Sequence, residues 1–310
     1  SMYDGATATA EAMFMAVSQS RKNKVLLSST VNPNVIEVVK TYAKYRGITV
    51  EIIETQDYLT SYSDLEAKYD YEVGTIIVSQ PNFYGVIEDY SLINEFAKRN
   101  NIVFVMNSDP STLPVLKTPR EWGADIACGE AQSLGIPLSF GGPYLGYLAC
   151  TNKLLRKMPG RICGMTKDVD GKRGFVLTLQ AREQHIRREK ANSNICSNQS
   201  LMALQVVIYM SLLGKQGLKE VAMRSYNNSH YLEEQLLLTN KFTKVTSQPF
   251  FKEFVLKYNG NLEDLNKHLL DKGYLSGLIL KDNCLLLCAS ETRTKAEIDD
   301  FVKIVGEYNG

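Results

Sequence analysis

The stretch from Gly123 to Cys150 sets two short apolar runs, Asp125–Cys128 and Leu145–Cys150, on either side of a polar loop and a glycine pair. A loop leaving the carboxyl end of a buried strand is where open α/β sheets collect their ligands. This loop carries Gln132 and Ser133, and no lysine occurs between Gly123 and Cys150. An amide and a hydroxyl exchange hydrogen bonds, but only a primary amine condenses with an aldehyde. The pair Gly141-Gly142 offers different chemistry. Lacking a Cβ, successive glycines let backbone N–H groups approach an anion. The plainer alternative is a tight turn ahead of the Leu145 run.

Other chemistry-bearing residues are scattered. The run Ile102–Met106 ends in Asn107-Ser108-Asp109-Pro110, so an uncharged Met106 or Asn107 stands at its end and Asp109 follows two residues later. Asp4-Gly5-Ala6-Thr7 opens a helical pattern. Its amides and the Thr7 hydroxyl suit an anion, but simple N-capping is the favoured reading. Gln80-Pro81-Asn82-Phe83-Tyr84-Gly85 follows another buried run and is either a ligand edge or a tight turn with a packed aromatic. Lys167 and Lys172 fall in the polar, turn-rich Gly164–Gly174 and read as solvated, because a reactive amine needs a desolvated pocket to lower its pKa. Arg182, Arg187, Arg188 and Lys190 are interleaved with Glu183 and Glu189, which reads as a solvated face or intersubunit ion pairs, and Arg161 is a further arginine able to pair with carboxylates.

Composition narrows the classes. The 310 residues hold 35 basic and 34 acidic side chains, so no nucleic-acid footprint is expected. None of the six cysteines forms a C-x-x-C pair, and His185, His230 and His268 lie far apart, so no metal site is expected. Cys128, Cys150, Cys284 and Cys288 sit in apolar runs and read as small core hydrophobes; Cys163 and Cys196 lie in polar segments. A reduced, cytoplasmic protein fits this usage. The apolar run Leu201–Leu213 is too short to span a bilayer and reads as a buried helix; no membrane association and no signal peptide are expected.

Strand-like and helical stretches alternate from residue 5 to Cys150. Such alternation predicts βαβ units and a mostly parallel, doubly wound sheet. Ser200–Leu213 and Leu218–Leu238 read as two helices broken by Gly214 and Gly217. Beyond them, Glu253–Tyr258, Leu262–Lys272, Leu275–Leu280, Cys284–Ala289 and Lys295–Tyr308 give β-α-β-β-α, with a hairpin turn at Lys281-Asp282-Asn283. The expected organisation is a large α/β domain over 1–196, linking helices over 197–240 and a small C-terminal α+β domain over 241–310. That layout resembles the fold-type I pyridoxal-phosphate (PLP) transferases, the aspartate aminotransferase architecture.

Three segments sharpen the resemblance: Ser79–Gly85, Gly123–Gly146, and Arg182-Glu183-Gln184-His185-Ile186-Arg187-Arg188-Glu189-Lys190-Ala191-Asn192-Ser193-Asn194-Ile195-Cys196. Together they resemble glycine dehydrogenase (decarboxylating), the P-proteins of the glycine cleavage system, and within it the subunit 1, or alpha, branch. The resemblance covers the whole chain. It implies that the chain lacks an N-terminal part of the longer alpha subunit.

The resemblance also implies a division of labour. In the beta subunit a histidine-lysine pair follows the strand and the lysine holds PLP. Gln132 and Ser133 match that pair here, and Met106 or Asn107 matches the aspartate that fold-type I enzymes set against the pyridine nitrogen. The alpha chain is then degenerate, with no catalytic residue of its own, in an alpha2beta2 heterotetramer. The beta subunit carries PLP, glycine is decarboxylated there, and the aminomethyl group passes to the lipoyl arm of the H-protein. Gly141 and Gly142 would serve the partner's PLP phosphate in trans. Two rival readings are a self-contained PLP enzyme using Lys117 or Lys167, and a scaffold with no cofactor contact.

Overall fold

The computed structural model describes residues 1–180, 184–191, 195 and 198–308. Helix α1 (Gly5–Ser20) starts at Asp4, whose carboxylate accepts from Thr7 N at 2.8 Å while Thr7 Oγ1 accepts from Asp4 N. The simple capping expectation therefore holds. Then follow β1 (Lys24–Ser28), α2 (Pro33–Lys44), β2 (Thr49–Ile53), a minute hairpin of β3 (Thr55–Gln56) and β4 (Leu59–Thr60), α3 (Tyr62–Lys68), β5 (Val73–Gln80), α4 (Ser91–Arg99), β6 (Val103–Ser108), β7 (Ile126–Glu130) and β8 (Gly146–Cys150).

Six of these strands form one sheet in the order β2-β1-β5-β6-β7-β8. The pairs are parallel except β7–β8, which is antiparallel. Pleating sorts side chains to the two faces. Val25, Leu27, Ile77, Val103 and Val105 join α1 and α2 on one side. Leu26, Ile76, Val78, Phe104 and Met106 join Leu65, Ile93 and Phe96 on the other. Both faces are covered, so β5 is buried at every position, as a central parallel strand must be. Helix α1 buries Ala8, Ala10, Ala12 and Ala16 completely, and these small side chains let it lie close on the sheet.

Next come β9 (Ile162–Lys167), β10 (Arg173–Thr178), α5 (Gln184–Arg187) and the 39-residue α6 (Ser200–Leu238). The chain ends in β11 (Phe242–Lys244), β12 (Glu253–Tyr258), α7 (Leu262–Asp271), β13 (Leu278–Ile279), β14 (Cys284–Cys288) and α8 (Lys295–Glu307). The antiparallel sheet β11-β12-β14-β13 packs against α6, α7 and α8 around Leu236, Leu256, Leu265 and Val305.

Several expectations are corrected. Gly164–Gly174 is the end of an antiparallel hairpin, not a loop, because Met165 and Phe175 fall into register across β9 and β10. The Leu201–Leu213 helix is not buried: Leu201 is 71 % exposed and Leu212 82 %. Only Gly214 (φ 58°, ψ −172°) interrupts α6, and Gly217 continues it. Strand β13 keeps two of the six residues expected, and β11 was not foreseen. Cys288 is exposed and Cys150 half-buried, since each ends a strand whose last side chain leaves the core. The expected boundary at 196/197, with Arg182 and Cys196, lies outside the described residues.

The two sheets meet along a hydrogen-bonded seam. Ile87 N donates to Pro249 O at 2.8 Å and Phe251 N to Gly85 O at 3.0 Å. A side chain at Gly85 (φ 84°) would start 1.8 Å from Glu253 O, so only glycine fits there. Asn82 locks the turn before it, accepting from Tyr84 N and Val86 N and donating to the buried Glu88. His230 of α6 stacks between Tyr226 and Phe250, each ring 3.9 Å away.

Burial holds the His230 imidazole below its ordinary pKa. The unfolded chain therefore binds that proton more readily than the folded one. The contribution to stability is complete above the unfolded value of about 6.5 and declines as pH falls below it. His230→Phe keeps the ring stack and removes the proton. Thermal melts from pH 8 to pH 5 should show the parent losing stability relative to the variant below about pH 6.5; parallel curves would reject the assignment.

Candidate functional site

The parallel strands deliver their last residues to one edge of the sheet. A cavity of about 520 Å³ opens there, lined among others by Asn32, Ser79, Asn107, Asp109, Glu130 and Ser133. A second cavity of about 600 Å³ lies at the opposite end of β7, beside Arg120, Asp125 and Lys153. We take the first as the candidate site, because ligands of open α/β sheets bind at the carboxyl ends of the strands and polar side chains from four elements converge there.

The loop after β7 sets its two polar residues to different tasks. Ser133 Oγ donates to Asp109 Oδ1 at 2.6 Å. Gln132 turns back on its own loop, its Nε2 donating to Pro137 O at 3.2 Å. Asn107, near the end of β6, donates from Nδ2 to Thr9 Oγ1 of α1 at 2.7 Å. Ser108 meets the Tyr147 hydroxyl at 2.5 Å.

Asp109 is the hub. Its Oδ1 also accepts from Ser111 N at 2.9 Å, and its Oδ2 receives Lys252 Nζ at 2.5 Å. Lys252 Nζ lies 3.1 Å from Ser111 Oγ as well. Burial alone would push the Asp109 carboxyl up, but the Lys252 charge and the donors from Ser133 and Ser111 outweigh it and hold the pKa below the ordinary range. Burial works against the Lys252 charge too, and Asp109 and Glu253 outweigh it and raise the pKa. The pair is therefore fully charged near neutrality. A protonated amine has no lone pair to offer an aldehyde.

Glu130, the last residue of β7, has the second telling position. Its Oε2 accepts from Gly5 N at 2.8 Å, at the start of α1. Its Oε1 accepts from Gln132 N at 3.0 Å and Leu145 N at 2.9 Å. A helix N-terminus favours negative charge, and here the chain's own carboxylate supplies it.

The remaining sequence candidates are dispersed. Gly141 (φ 111°) and Gly142 (φ 137°) form an exposed turn whose N–H groups both point at Leu138 O, with nothing within 4 Å of a side chain added at Gly141. Lys117 lies over the Trp122 ring at 4.4 Å. Lys167, Lys172, Arg187 and Arg188 are exposed and away from the cleft. Among the described residues no group of three His, Cys, Asp or Glu side chains is placed to hold a metal. Sequence reading missed Lys252 and Glu130. The available signal was the charged pair Lys252-Glu253 inside the apolar run Phe250–Leu256, where a lysine needs a partner to be buried.

A family model described as Glycine cleavage system P-protein matches residues 1–305. A relative from Anoxybacillus flavithermus, curated as "probable glycine dehydrogenase (decarboxylating) subunit 1", is 47 % identical over all of this chain and 70 % of its own length. One from Brevibacillus brevis with the same name is 49 % identical over 96 % of this chain and 68 % of its own. The chain superposes on a solved glycine decarboxylase (P-protein) of the glycine cleavage system, in inhibitor-bound form, with a TM-score of 0.94 at 38 % identity, over 99 % of this chain and 70 % of that one. A sphingosine-1-phosphate lyase of Burkholderia pseudomallei follows at TM-score 0.74 and 12 % identity, over 99 % of this chain and 68 % of that one, a likeness of fold alone. The fold is that of the fold-type I PLP-dependent enzymes. On profile, sequence and structure alike, the chain belongs to the glycine cleavage system P-protein family.

Proposed function

We propose that this chain is the non-anchoring alpha subunit of a cytoplasmic alpha2beta2 glycine decarboxylase. In this reading the beta subunit carries PLP and decarboxylates glycine, and the aminomethyl group passes to the lipoyl H-protein. The observation that carries it is the candidate cleft. Its loop presents Ser133 and Gln132 in place of an amine, Asn107 stands at the end of β6, and Glu130 sits on the amide that a phosphate would use. These residues do not fit PLP, so no chemical step is assigned to them.

The surface supports a partner subunit. Leu201, Leu204, Val207 and Leu212 on the first half of α6, Met165 and Phe175 on the hairpin, and Leu138 and Phe140 beside the glycine turn are all exposed. Apolar exposure on this scale marks an interaction face. By length and composition α6 is long and apolar enough to cross a membrane. The break at Gly214 divides it, however. Its first part, Ser200–Leu213, spans about 21 Å, short of the ~30 Å of a bilayer core. Its second part belongs to the C-terminal core through Leu232 and Leu236. Protein, not lipid, is the better occupant.

Two experiments test the reading. Borohydride reduction of the PLP-treated chain, followed by peptide mapping, should give only scattered labelling of surface lysines. One stoichiometric pyridoxyl-lysine at a single buried position, Lys252 included, would sink it. The glycine turn is tested in the reconstituted complex. Gly142→Ala and Gly142→Asp share the strain of the positive φ, and only the aspartate adds charge. The aspartate variant should bind PLP on the beta subunit more weakly than the alanine variant by about 1–3 kcal/mol, the scale of a lost charge-assisted hydrogen bond. Equal affinities would make the turn purely structural.

A further inference from the structure

The cleft that fails to fit PLP is not simply vacated, because its polar groups are bonded to one another. Asn107 is held by Thr9, Ser108 by Tyr147, Ser79 donates to Pro81 O, and Gln132 to Pro137 O. Glu130 takes three backbone amides from α1 and the β7–β8 connection. Asp109 is shared among Ser133, Ser111 and Lys252. Of these partners Lys252 alone comes from the C-terminal part of the chain, reaching 143 residues back to Asp109.

Lys252 also follows directly on the seam. The backbone bond from Phe251 N to Gly85 O and the bond from Ile87 N to Pro249 O lie within three residues of it. Next in sequence, Glu253 presents its carbonyl to the position where Gly85 has no side chain. One short segment, Pro249–Glu253, thus carries both the backbone bridge to the Gly85–Ile87 turn and the ion pair to the cleft.

We propose that the Lys252–Asp109 pair clasps the C-terminal sheet to the six-stranded sheet at the edge of the candidate cleft, where Glu130 is already taken up by the first turn of α1. Ser133, in the loop where the resemblance sets a lysine, is drawn into this clasp through its bond to Asp109. The chain consequently offers its partner a fixed relative setting of the two sheets, without the closure on substrate that many enzymes of two lobes use. The inference stands on this chain's own contacts and not on which subunit carries PLP.

Amide hydrogen exchange on the full chain, without cofactor, tests it. Lys252→Met and the near-isosteric Asp109→Asn should each speed exchange at Ile87 and Phe251 by at least about tenfold, because each leaves a partly desolvated charge without its partner and local opening is what exchange reads. Core amides such as Ile77 and Val105 should keep their parent rates. The double variant should exchange no faster at the seam than the faster single variant, since the two groups act as one unit. Lys252→Arg, which keeps the charge, should retain parent rates. Unchanged seam rates in Asp109→Asn, or acceleration spread equally over the core, would overturn the clasp, as would single-variant effects that multiply in the double.

Discussion

A parallel sheet covered on both faces sends its polar strand ends to one shared edge, where half-buried polar and charged groups must find partners. Around this constraint the rest of the molecule is arranged. Asp109 is its sharpest instance. A carboxylate drawn partly out of water needs a countercharge or several donors, and Asp109, its side chain 28 % exposed, has both, in Lys252, Ser133 and the Ser111 amide. Removing one partner of a fully buried pair costs about 3–5 kcal/mol, while replacing both by apolar groups is often neutral; with Asp109 28 % exposed, solvent screening makes this pair's share smaller. Its contribution therefore lies less in net stability than in fixing one arrangement of the two sheets.

The same demand explains the inner face of the fold. Helix α1 must lie close enough for Gly5 N to reach Glu130 and Thr9 to reach Asn107. Its alanines permit that approach, and at Gly5 a side chain would begin 2.7 Å from Glu130 N. Packing and polar satisfaction are thus one design. The small residues that fill the core also set the distance at which the strand-end side chains find their partners. Glu88 repeats the pattern nearby, where Thr60 N, Thr30 and Asn82 supply donors to a carboxylate only 4 % exposed.

What the chain turns inward it balances by what it turns outward. The cleft's polar groups are mutually occupied, whereas α6, the β9–β10 hairpin and the Phe140 turn leave large apolar side chains in contact with water. A two-stranded hairpin exposed on both faces has little stability of its own, and β9–β10 pairs with no other strand among the described residues. Large apolar side chains left in contact with water on this scale mark an interaction face.

Local pattern in the sequence was enough for the alternation of strands and helices, the Asp4 cap, the Lys281–Asn283 turn and the absence of an amine in the loop after β7. Each depends on neighbours a few residues apart, and periodicity and turn chemistry act at that range. The family resemblance rested on the same short segments. Tertiary structure alone decided the exposure of Leu201 and Leu212, because an apolar helix face reads the same whether it meets its own core or another chain. It alone joined Lys252 to Asp109 and Glu130 to Gly5. Those partners are separated by 143 and 125 residues, and no local rule links groups that only the packing of α1 on its sheet, or of the C-terminal sheet against it, brings within hydrogen-bond distance.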